Sequence, residues 1–74
     1  MRTVSEAFVD KIYKIVSQRM RERPPGVLER WLVTEYLIEV EEYDRDEVHE
    51  ALELLQCELG WFYEPFLGKI ALVR

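Results

Sequence analysis

Apolar positions recur at helical spacing through most of the chain and at strand spacing near its end. Phe8, Ile12, Ile15, Val16 and Met20 share one face of a helix predicted over residues 4–22, with Thr3 and Glu6 placed as a capping box. Pro24, Pro25 and Gly26 stop it, because proline disfavours a helical residue before it and lacks the amide proton. Leu28, Trp31, Leu32 and Tyr36, with Leu37 and Ile38 widening the stripe, predict a second helix over residues 27–39. A third follows over residues 44–59, capped by Asp44 with Glu47 and carrying Val48, Ala51, Leu52, Leu55 and Leu59 on one face. Gly60 supplies the left-handed residue that ends it. Trp61-Phe62-Tyr63 favours a strand, Pro65 and Gly68 mark the turn, and residues 69–73 form the returning strand.

The order is three helices followed by a two-stranded hairpin. The predicted fold is therefore α+β, a winged helix-turn-helix in which the hairpin covers the open apolar edge of the helices. The turn near residues 40–43 has no glycine, where many such turns carry one. At 74 residues, with 49% hydrophobic and 34% charged positions, the chain reads as one folded domain and not as a disordered tail.

Charge changes the functional expectation. Residues 1–30 hold seven basic and four acidic groups, net +3, whereas residues 31–74 hold three basic and eleven acidic, net −8. Over residues 44–59 six carboxylates face one arginine, net −5. A recognition helix needs Arg, Lys, Asn or Gln to reach base edges and phosphates, and the third helix offers only Arg45 and His49. The other candidates for nucleic-acid contact are Lys11, Lys14, Arg19, Arg21 and Arg23 near the first helix and Lys69 in the hairpin. Basic groups near a helix C-terminus also stabilise it through the helix dipole, and an acidic protein would suit them as well as a phosphate backbone. Both readings stay open. Trp61, Phe62, Tyr63 and Phe66 are candidates for protein contact: one face of a wing strand packs on the helices, so two of them are expected in the core and the others, with Trp31 or Tyr36, on an exposed patch. A platform for single-stranded nucleic acid needs interleaved basic residues, and only Lys69 is near.

Other classes have little in their favour. One cysteine, Cys57, and one histidine allow neither a disulfide framework nor a metal cluster, so no metal or cofactor is expected and the setting is read as reducing and cytoplasmic. Cys57 is expected at the edge of the third helix's core face. No apolar run approaches the roughly 18 residues of a membrane span, and the N-terminus lacks the h-region of a signal peptide. His49 has Asp46 and Glu53 within a turn on either side, yet no nucleophile or glycine loop accompanies it, and no enzyme is expected. Abundant Arg, Glu, Val, Leu and Tyr without any Asn suits a heat-adapted source.

Leu55, Leu59-Gly60, Phe62, Tyr63-Glu64-Pro65 and Gly68 form a pattern that resembles the C-terminal winged-helix domain of archaeal minichromosome maintenance (MCM) replicative helicases. Tyr63, Glu64, Pro65 and Gly68 are its wing motif, an edge strand that breaks at the proline and turns at the glycine. The resemblance implies a regulatory and interaction role beside a replication ATPase, with weak or no DNA binding by the isolated domain. The expected function is thus a non-enzymatic module of DNA replication or a related DNA transaction that works through protein contacts. A small DNA-binding transcription regulator, as a homodimer or alone, is the alternative, and an oligomerisation domain joined through the wing aromatics is a third.

Overall fold

The computed structural model of the chain describes residues 4–73. Its elements are α1 (Glu6–Glu22), β1 (Val27–Glu29), α2 (Arg30–Glu39), α3 (Arg45–Glu53) continued by one π turn (Leu54–Glu58), β2 (Phe62–Tyr63) and β3 (Lys69–Leu72). The strands form one antiparallel sheet in the order β1-β3-β2. The protein is a small α+β fold with three helices and a three-stranded antiparallel sheet.

Ser5 caps α1, its hydroxyl accepting from the Phe8 amide at 3.1 Å. Thr3, expected in that role, lies outside the described residues. Val9, Ile12, Val16 and Met20 form the buried stripe of α1, while Phe8 and Ile15 pack at its edge. After the two prolines, Gly26 takes φ +83° and its amide donates to the Arg23 carbonyl at 2.7 Å. A Cβ at Gly26 would stand 3.3 Å from the Met20 carbonyl oxygen. Gly26→Ala is therefore expected to lower stability by about 1–2 kcal/mol, the cost of a left-handed L-residue. A urea melt checks this, and an unchanged midpoint would contradict it.

The second helix begins later than expected. Val27, Leu28 and Glu29 are extended and pair with Ala71, Ile70 and Lys69, so the sheet has three strands where two were expected. Apolar Val27 and Leu28 suit a strand as well as a helix, and pairing with β3 decides between them. Starting at Arg30, α2 buries Val33, Thr34 and Leu37. Trp31 and Leu32, expected on its core stripe, face outward. The Thr34 hydroxyl is satisfied by donating to the Arg30 carbonyl at 3.0 Å.

In the turn to α3, Glu42 takes φ 63° where glycine is common, and the Tyr43 amide donates to the Leu37 carbonyl at 3.0 Å. Tyr43 then meets Phe8 edge-on at 5.2 Å. Asp44 caps α3 as expected, accepting from the Glu47 amide at 3.1 Å. Val48, Ala51, Leu52 and Leu55 enter the core, but Leu59 is exposed because the π turn rotates it off the buried face. Gly60 ends the segment at φ 67°. Phe62 from β2 and Ile70 from β3 close the core over the helices.

Candidate functional site

Two surfaces carry the candidate residues. The first is a cleft of about 330 Å³ where α2, α3 and the hairpin turn converge, lined by Arg30, Trp31, Thr34, Glu35, Arg45, His49 and Gly68. Arg45 and His49 stand one turn apart on α3, and the Arg30 amide donates to the Gly68 carbonyl at 2.8 Å, which ties the hairpin turn to the start of α2.

Each cation here faces a carboxylate. Arg45 lies 3.8 Å from Glu35, Lys69 lies 3.7 Å from Glu29, and Arg30 lies 3.7 Å from Glu53 while donating to the Gln56 side-chain Oε1 at 3.0 Å. Exposed pairs at such distances contribute about 0–1 kcal/mol each to stability. Their effect on a ligand is larger than that figure suggests, because an approaching phosphate must share each cation with a fixed negative charge. The indole of Trp31 is also engaged, donating to Glu29 at 3.1 Å. Asp46 and Glu47 add exposed carboxylates in the first turn of α3.

Glu53 does not join His49. Its carboxylate meets Arg30 through one oxygen and accepts from the Cys57 thiol at 3.4 Å through the other. Cys57, expected at the core edge, is exposed. The hydrogen bond to Glu53, followed by residual desolvation and the charge of the same carboxylate, pushes the thiol above its ordinary pKa. The thiol form thus dominates at neutral pH, and the thiolate is the nucleophile. Glu53→Gln is expected to speed alkylation of Cys57 by iodoacetamide at pH 8; an unchanged rate would show that Glu53 does not restrain the thiol.

The second surface surrounds Trp61. Phe62 is only 1% exposed, so of the four aromatic contact candidates it belongs to the core and not to a surface. Tyr13 stacks on Phe62 with centroids 5.6 Å apart and meets Trp61 edge-on at 4.9 Å. Trp61 remains 41% exposed and separates two depressions, one lined by Glu6, Val9, Asp10, Leu54 and Leu59, the other by Asp10, Tyr13, Gly60 and Val73. Tyr63 stands apart, beside Met20, Pro25 and Val27. Phe66 and Leu67 project from the hairpin turn, 65% and 96% exposed. Glu64 holds that turn by accepting from the Gly68 amide at 2.7 Å, and the Lys69 amide donates to the Phe66 carbonyl at 2.9 Å.

The α1 cations do not line the α2–α3 cleft. Lys14 pairs with Asp10 at 3.1 Å, Arg21 donates to the Ser17 hydroxyl at 3.5 Å, and the Arg19 guanidinium lies 4.0 Å over the Tyr36 ring. Lys11 and Arg23 are exposed. Sequence reasoning missed Leu59, Leu67 and Val73 as surface groups, whereas Trp31, 61% exposed, had been named as one that could join an exposed patch. Leu67 alone left a signal, an aliphatic residue inside a proline-glycine turn. Among the described residues no group of three or more His, Cys, Asp or Glu side chains could hold a metal ion, and no helix is long and apolar enough to cross a membrane. No protein-family model matches the chain, and neither a curated protein nor a solved structure shows significant similarity to it.

Proposed function

We propose that this domain is a non-enzymatic winged-helix module that serves a DNA transaction mainly through protein contacts and binds DNA weakly or not at all. The observation that carries this reading is the pairing of Arg30, Arg45 and Lys69 with Glu53, Glu35 and Glu29 across the face that a helix-turn-helix would turn to DNA. Exposed Leu59, Trp61 and Val73 gather instead around α1 and the end of the α3 segment, where apolar groups suit a protein partner. Three helices with a hairpin closing their core support the winged-helix reading. The hydrogen bond from Gly68 to Glu64 gives the Tyr63-Glu64-Pro65 and Gly68 motif a physical role as a closed turn, and the link to a replication ATPase rests on the resemblance of that motif.

A small DNA-binding regulator is the second reading, favoured by the convergence of Arg30, Arg45 and His49 in one cleft. Photo-cross-linkers placed at Leu59 and at Arg45 separate the two in living cells. The proposal expects protein adducts from Leu59 and no nucleic-acid adducts from Arg45. Nucleic-acid adducts from Arg45, with none to protein from Leu59, would overturn it.

A further inference from the structure

Four of the eight described lysines and arginines have a carboxylate at ion-pair distance, namely Lys14, Arg30, Arg45 and Lys69. Lys11, Arg19, Arg21 and Arg23 have none among the described residues, and all four belong to α1 or its C-cap. With fifteen acidic residues against ten basic, the chain does not lack carboxylates to pair them. The helix dipole accounts for cations at the last turn of α1, but not for the surface they border.

Arg19 and Arg23 stand four residues apart beside a groove of about 220 Å³ between α1 and α2, lined also by Leu28, Glu29, Leu32, Val33 and Tyr36. Leu32 is 49% exposed there. Arg19 is oriented by its stack on Tyr36, whose hydroxyl donates to Glu41 at 3.1 Å, and a stacked guanidinium keeps its in-plane donors for another group. Glu29, the one carboxylate among the lining residues, is already engaged by Trp31 and Lys69.

We propose that this groove docks an acidic, apolar segment of a partner protein, with an Asp or Glu carboxylate on Arg19 and Arg23 and apolar side chains on Leu28 and Leu32. This deepens the protein-contact reading and rests on it, but uses a surface distinct from the Trp61 face. Charge complementarity selects the occupant, since two free guanidinium groups beside an aliphatic floor match a carboxylate next to an apolar side chain. A nucleic acid would use the cations but not Leu28 and Leu32, and the stacking face of Tyr36 towards Arg19 is covered. A second copy would bring its own net charge of −5 against this one.

The test is selection from a random dodecapeptide display library on the wild-type domain, with enriched peptides measured on wild type and on the Arg23→Glu, Leu32→Ser double variant. Both positions are exposed, and a thermal melt confirms that the variant is folded. Enriched peptides should carry Asp or Glu beside apolar residues, shift the amide resonances of Arg19, Arg23 and Leu32, and bind the variant at least about tenfold more weakly. No consensus, a basic consensus, or equal binding to the variant would overturn the proposal. Peptides that shift only Leu59, Trp61 and Val73 would overturn it while leaving the protein-contact reading standing. Oligothymidine that shifts the groove resonances where no acidic peptide does would overturn both. Self-association of the wild type that the double variant abolishes would assign the groove to a second copy and overturn the heterologous partner.

Discussion

Phe62→Ala is expected to leave the domain largely unfolded at 25 °C. The ring is 1% exposed, stacks on Tyr13, and comes from the β2 residue paired with Leu72, so it is the hairpin's main plug in the helical core. Removing a buried phenyl costs about 3–5 kcal/mol through lost transfer energy and an unfilled cavity. A core in a chain of this size rarely supplies more than about 3–5 kcal/mol of net stability. The loss is therefore comparable to the whole margin. Phe66→Ala, four residues on but at an exposed turn, should change stability by less than about 0.5 kcal/mol. Urea melts followed by far-UV circular dichroism compare the two, and a Phe62→Ala variant that melts like the wild type would show that the hairpin does not seal the core.

Asp46→Lys combined with Glu47→Lys is expected to raise duplex-DNA binding measurably above that of the wild type. These carboxylates occupy the exposed first turn of α3, beside Arg45 and near His49. If they keep phosphates away, replacing two negative charges by two positive ones removes repulsion and adds two cations for counterion release. Affinity should rise by about 10- to 100-fold near 50 mM salt, and the slope of log K against log salt should steepen by about 0.9 for each new phosphate contact. Placing lysines at a helix N-terminus costs about 0.3–1 kcal/mol, so folding is checked alongside. Unchanged affinity in a folded variant would mean that the acidic face of α3 is not what limits DNA binding.

Much of the helical framework was legible because its signals are local. The apolar periods of α1 and α3, the Asp44 cap, the proline-glycine stop and the turn glycines Gly60 and Gly68 each act within a few residues. β1 was not legible, because Leu28, Trp31 and Leu32 mimic a helical stripe and only pairing with β3, forty or more residues away, makes residues 27–29 extended. The same stripe placed Leu32 inside when α2 turns it outward, and left Trp31 open between the core and an exposed patch. Nor could the aromatic run show that Phe62 is buried while Trp61 and Tyr63 are half exposed, since its register depends on the returning strand. The acidic character of α3 was visible in composition. The specific pairing of Arg30 with Glu53 and Gln56 joins α2 to the α3 segment and required the fold.

The most direct measurement is fluorescence anisotropy of labelled duplex and single-stranded DNA titrated with the wild-type domain over a range of salt. Cations held against carboxylates on the α2–α3–hairpin face should give dissociation constants weaker than about 1 μM even near 50 mM salt, with a shallow dependence on salt. Sub-micromolar binding that falls steeply as salt rises would contradict the account and place DNA on this face.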